Sequence, residues 1–151
     1  MDELIKSLDE NLKYIKHEII EDTIYLYVVS TRKEANCPNC GQPSSRVHSK
    51  YTRSFQDLPI QNKKVIVVID NRKFFCDNAD CKNVTFAETF SFLPEKGKKS
   101  NRLIDKIMAI SINVSSVTAC TLLRNGVVDI GKSTICNMLK KTKSQLYKKK
   151  I

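Results

Sequence analysis

The sequence predicts an α+β chain: a small antiparallel β unit over residues 1–95, followed by a basic three-helix domain over residues 96–151. Three observations carry this. Runs of β-branched and aromatic residues concentrate in the first part and helix-type periodicity in the second. The stretch Pro94-Glu95-Lys96-Gly97-Lys98-Lys99-Ser100-Asn101 is polar, holds both Pro and Gly, and reads as a linker between the two compositions. Charge divides at the same place: residues 1–95 hold 13 Lys and Arg against 14 Asp and Glu, whereas residues 96–151 hold 13 against 2.

At the N-terminus Leu4, Leu8, Leu12, Ile15 and Ile19 recur at helical spacing, while Ile15, His17 and Ile19 also alternate. We read a short helix and then a strand, with His17 an ordinary strand residue. Thr23 to Ser30 (Thr-Ile-Tyr-Leu-Tyr-Val-Val-Ser) is a strand, entered through a hairpin turn at Glu21-Asp22. Arg46–Gln56 and Lys63–Phe75 are two more extended stretches, joined by a turn over Asp57-Leu58-Pro59-Ile60-Gln61-Asn62. Both faces of Val65–Ile69 are apolar, which suits a strand covered on both sides by the first strand and the first helix. The carboxylates Asp57, Asp70, Asp77, Asp80 and Glu88 read as turn and surface residues.

Beyond the linker, Leu103, Ile107 and Ile110 mark one helix. Ser115 or Ser116 caps a second through Leu123, and Asn125-Gly126 ends it. A third runs from Gly131 to Leu146 with Ile135, Met138, Leu139, Thr142 and Leu146 on one face. Cys120 and Cys136 stand alone in these helices and are expected as buried core thiols.

Composition narrows the function. A chain of 151 residues, 41% hydrophobic and 28% charged, is ordinary for a soluble globular protein. No apolar run approaches the roughly 20 residues of a membrane helix, and Met1-Asp2-Glu3-Leu4-Ile5-Lys6 lacks the basic, then apolar, pattern of a leader. The expectation is a cytoplasmic, nucleoid-associated protein with no membrane partner and no small-molecule substrate. The basic excess after residue 95 is the footprint of a polyanion binder, because each Lys or Arg that meets a phosphate releases condensed counterions. The plainer alternative is a solvated basic face ending in the lysine tail Lys148-Lys149-Lys150.

Four cysteines fall in two close pairs. Cys37-Pro38-Asn39-Cys40-Gly41 is C-x2-C, and Cys76-Asp77-Asn78-Ala79-Asp80-Cys81 is C-x4-C. The first spacing lets one tight turn aim two thiolates at a common ion, and the glycine can take the positive φ that such a turn needs. In a reducing compartment, paired cysteines serve as metal ligands or redox catalysts more than as structural disulfides. Four thiolates make a closed tetrahedral zinc site with no open position, hence a structural one whose binding energy is folding energy. Three rival readings stand beside this one. A thioredoxin-like pair needs a single C-x-x-C opening a helix; an iron–sulfur cluster can use the same four cysteines; His48 can replace one ligand, though its strand-like surroundings favour a surface role.

Beyond the cysteines an ordered series of residues stands out: Cys37-Pro38-Asn39-Cys40-Gly41, Val47-His48-Ser49-Lys50-Tyr51-Thr52-Arg53, Gln56-Asp57-Leu58-Pro59-Ile60, Arg72 to Cys81, and Thr85-Phe86-Ala87-Glu88. It resembles the N-terminal zinc-finger region of bacterial insertion-sequence transposases of the ISL-three family, over about residues 13–145. The resemblance implies a zinc-ribbon-like segment, then a helix-turn-helix segment, then a catalytic domain of retroviral-integrase-like fold with acidic metal ligands. Such a domain needs on the order of 100–200 residues of its own, and nothing after the third helix supplies an acidic triad. The expectation is therefore the DNA-recognition part of a transposase, truncated or solo, with no catalytic residues and no enzymatic activity. Its partners are duplex DNA at transposon ends, and itself or a full-length transposase.

In a helix-turn-helix the second helix enters the major groove. With Ile135 and Leu139 facing inward, Ser133 and Asn137 face outward, flanked by Lys132, Lys140 and Lys141. Asn can read adenine bidentately, and lysines hold phosphates. The turn from Arg124 to Gly131 is longer than usual for this motif. The alternative function is a protein-interaction or oligomerisation module whose basic part binds nucleic acid nonspecifically.

Overall fold

A computed structural model describes residues 1–149. The elements are α1 (Asp2–Lys6), β1 (Leu12–Ile20), β2 (Thr23–Ser30), β3 (Ala35–Asn36), β4 (Pro43–Ser44), β5 (Val47–Ile60), β6 (Lys63–Phe75), β7 (Thr85–Ala87), α2 (Asn101–Ser111), α3 (Ser116–Arg124) and α4 (Lys132–Lys149). The chain is α+β, with four helices among the described residues: α1 ahead of the sheet, and α2, α3 and α4 in the C-terminal group.

Strands run in the order β1-β2-β6-β5, with β7 paired to β6, while β3 and β4 form a separate two-stranded piece. One seam corrects the antiparallel expectation. β2 and β6 run parallel, with Ile24 opposite Val65 and Val28 opposite Ile69, so the sheet is mixed. The reason lies in composition: β6 is apolar on both faces and takes the centre, whereas β5 carries Ser49, Lys50, Thr52 and Ser54 and takes the edge. The chain reaches β5 first and turns back, and that reversal sets β6 parallel to β2.

The core lies on one face of the sheet. Ile24, Leu26, Val28, Phe55, Val65, Val67 and Ile69 are covered by Ile5 of α1 and by Phe90, Phe92 and Leu93. Contrary to the expectation from sequence, β1 does not cover β6; it lies in the same sheet and pairs laterally with β2. On the other face Tyr25, Tyr27, Ile66 and Val68 remain half-buried.

The turn expected over Asp57–Asn62 contracts to Gln61 and Asn62, both with positive φ (50° and 60°), and β5 continues through Pro59. A register shift between Asp57 and Ile60 absorbs the proline, which an edge strand tolerates because the missing N–H faces no neighbour. The linker is docked rather than free. Gln56 N–H donates to Lys98 O (2.8 Å), Ser100 N–H donates to Gln56 O (2.9 Å), and Arg53 Nη2 donates to the carbonyls of Pro94 and Gly97.

Two carboxylates expected on the surface are buried. Asp57 accepts from the Ser100 hydroxyl at 2.7 Å and from Arg102 Nε at 2.8 Å. Burial alone would raise its pKa, but hydrogen bonds from Arg102, Ser100 and the Leu58 backbone prevail and lower it. Glu88 meets Arg72 Nε at 2.9 Å and the Ser30 hydroxyl at 2.7 Å. Each side-chain partner lies more than a dozen residues away, which local sequence does not reveal. Asp70, Asp77 and Asp80 are exposed as expected.

The C-terminal helices enclose a second core of Leu103, Ile107, Ala119, Cys120, Leu123, Val128, Ile130 and Ile135, with Leu58 of β5 against it. Ser100 and Ser115 cap α2 and α3 by accepting from Leu103 and Thr118 backbone N–H groups. Met138 and Leu139 pack on this core, but Thr142 is exposed, and the side chain of Leu146 lies outside the described residues. Cys136 is half-buried instead of a core thiol, its Sγ 3.3 Å from the Ser116 hydroxyl between α3 and α4. Helix α4 extends to Lys149, so Lys148 and Lys149 of the expected tail are helical, and Lys150 lies outside the described residues.

Candidate metal centre and nucleic-acid interface

The turn between β3 and β4 presents Cys37 and Cys40. Cys37 N–H donates to Gln42 O and Gly41 N–H to Cys37 O, and Gly41 takes φ 74°, where a Cβ would be strained. Cys76 follows the last residue of β6, and Cys81 lies in the loop before β7, its N–H bonded to Asn78 O. Phe74 and Phe86, ring centroids 5.8 Å apart and stacked, pack beneath Cys37, Cys76 and Cys81. This small apolar cluster attaches the knuckle to the sheet.

The four Sγ atoms lie within 4.8 Å of one another. Cys37 to Cys81 is 3.8 Å and Cys40 to Cys76 is 3.6 Å. A tetrahedron of thiolates at about 2.3 Å from zinc has edges of about 3.8 Å, so the donor set fits the ion in number, type and spacing. The backbone N–H of Cys40 does most to draw the Cys37 thiol down to about 6. At Cys76 the Asn78 N–H works downward, yet burial and the sulfurs of Cys40, Cys81 and Cys37 push the thiol up to about 12. The Asn39 side chain, then the Asn83 N–H, lower Cys81. Four crowded sulfurs resist common ionisation until a cation neutralises them.

His48 stands apart from this cluster. Its ring meets Phe75 edge-on at 4.9 Å, and its Nδ1 bonds the Ser49 hydroxyl. Sequence reasoning missed Asn39 and Asn83, whose side-chain amides reach Cys81 Sγ at 3.2 Å and Cys37 Sγ at 3.8 Å. The signal available was an amide inside one cysteine pair and another two residues after the second.

The five residues read as DNA contacts all belong to α4, and all are exposed. Lys132 is in its first turn. Ser133, Asn137 and Lys140 share the face turned away from Ile135, with Lys141 beside them and Ser144 continuing the row. From Lys140 to Gln145 every side chain is exposed, so this part of α4 projects past the core. The loop before it is fixed, not slack: Val128 and Ile130 are buried, and Arg124 Nε donates to Ile130 O at 3.2 Å. No helix among the described residues is long and apolar enough to cross a membrane.

Residues 33–81 match the family model described as the zinc-finger of transposase IS204/IS1001/IS1096/IS1165. The match spans the whole cysteine constellation, and with the geometry above it makes Cys37, Cys40, Cys76 and Cys81 a structural zinc site. No curated protein and no solved structure matches the chain.

Proposed function

We propose that this chain is the DNA-binding module of a transposase. The zinc unit serves as a structural base, and α3 with α4 forms a helix-turn-helix that reads the ends of a transposon. The observation that carries this is the outward row Ser133–Asn137–Lys140 on a projecting basic helix, in the same chain as a transposase-type zinc ribbon. Ala119, fully buried on α3, offers the small side chain that lets two helices of such a motif approach. The seven-residue connection from Asn125 to Gly131 fits the motif because Val128 and Ile130 fill the core below it. Lys132, Lys140 and Lys141 hold phosphates, and Asn137 reads a base edge. The role is recognition, not strand cleavage, since the buried carboxylates Asp9, Asp57 and Glu88 are each committed to an arginine.

The test is selection of bound duplexes from a random pool, then gel-shift on the enriched sequence against a scrambled one. Enrichment of one sequence that Asn137→Ala abolishes supports the reading. Binding without enrichment favours the alternative, a zinc-based interaction module with a nonspecific basic arm.

A further inference from the structure

The sheet ends in two edges that are protected differently. On β5 the polar residues Lys50, Thr52 and Ser54 face water along one stretch, and the 98–100 strap is bonded to Gln56 along another. On β1 only the first half is covered, where Asp2 Oδ1 accepts from the Tyr14 backbone N–H at 3.3 Å. The second half carries Ile19 and Ile20, each 56% exposed, beside Ile15 at 51%. An apolar, uncovered edge is a template for another strand.

We propose that β1 is a homodimer interface, at which a second copy of this chain adds its own β1 antiparallel about a two-fold axis at His17. Charge selects both partner and register. With the axis at His17, Lys16 of each copy faces Glu18 of the partner subunit. Moving the axis one residue either way sets Lys16 against Lys16 or Glu18 against Glu18, and like charges directly opposite are destabilising. A two-fold contact of this kind is self-complementary by construction. The same register brings Ile19 alongside the Tyr14–Ile15 bulge of the other copy. It carries the partner's hairpin tip to a groove of about 470 Å³ between α1 and β1, whose lining mixes Lys6 and Lys13 with Asp2 and Glu10. The ladder is short because Asp2 bounds it, so the dimer is a weak one that forms without DNA and does not rest on the DNA-reading role.

Sedimentation velocity of the full, zinc-loaded chain at about 0.15 M salt, where long-range repulsion is screened, tests this. The expected result is a monomer–dimer equilibrium. Lys16→Glu and Glu18→Lys should each weaken dimerisation on the order of tenfold, since symmetry counts every altered pair twice. The double variant K16E/E18K should restore it. The chain carries +10, so Lys16→Glu brings each copy closer to neutrality, and nonspecific association would strengthen where the pairing weakens. Both side chains are exposed, and unchanged zinc content shows that the variants fold. His17→Cys should in addition give a disulfide-linked dimer under mild oxidation. A monomer at all concentrations, a dimer indifferent to both charge reversals, or reversals that the double variant fails to rescue would overturn the proposal.

Discussion

The hydroxyl of Ser100 donates to Asp57 Oδ1 at 2.7 Å while its oxygen accepts from the Leu103 backbone N–H. One serine thus caps α2 and ties it to β5. Arg102, in the first turn of the same helix, closes on the same carboxylate.

This junction predicts an acid-sensitive coupling between sheet and helices. Because the folded-state pKa of Asp57 is lowered, its contribution is fully present above the ordinary carboxylate pKa of about 4 and is lost as pH falls through the folded value. Asp57→Asn should remove that part of the acid dependence and cost about 1–3 kcal/mol at neutral pH. Urea unfolding at neutral and acidic pH checks it; a variant with the wild-type acid profile would place the sensitivity elsewhere.

For the metal, we predict one zinc per chain. Cys76→Ser should lose the ion and unfold the knuckle, since three thiolates retain little of the binding energy that holds it. Cys120→Ser, whose sulfur lies in the helical core, should keep it. Because the thiols must deprotonate, zinc uptake should release protons and weaken as pH falls. Elemental analysis reads the metal content of each variant, a chromophoric chelator the affinity at each pH, and a pH indicator the released protons; iron in place of zinc would contradict the assignment.

Buried Glu88 should be structural. Its side chain is 1% exposed against Arg72 at 15%, so Glu88→Ala leaves an uncompensated guanidinium and should cost about 3–5 kcal/mol. Neither Glu88→Gln nor Asp57→Asn should change a nicking activity, because with magnesium or manganese the chain is expected to show none. Metal-dependent nicking lost in either variant would assign these carboxylates a catalytic part.

On DNA, charge and shape should separate. Asn137→Ala should cost about 1–3 kcal/mol on the preferred sequence and little on random duplex. Lys132→Ala and Lys140→Ala should weaken both alike, each lowering the slope of log K against log salt by about one phosphate contact. Equal losses from Asn137→Ala on both DNAs would remove α4 as the reading helix.

Some of this was legible in the residues themselves. Thr23–Ser30 and Lys63–Phe75 form strands with the bounds their composition implies, Ser115 caps its helix, and the cysteine quartet converges. These are outcomes of propensity, capping and spacing, which act over a few residues and leave a local trace. What tertiary structure alone decided involves partners far apart in the chain. β2 lies parallel to β6 because the most apolar strand claims the middle of the sheet, whatever the order of synthesis. The expected turn shrank to Gln61-Asn62 because an edge position tolerates Pro59. Asp57 and Glu88 are buried because Arg102 and Arg72 reach them across 45 and 16 residues. A carboxylate on its own favours water, so only the fold that delivers its arginine makes burial affordable.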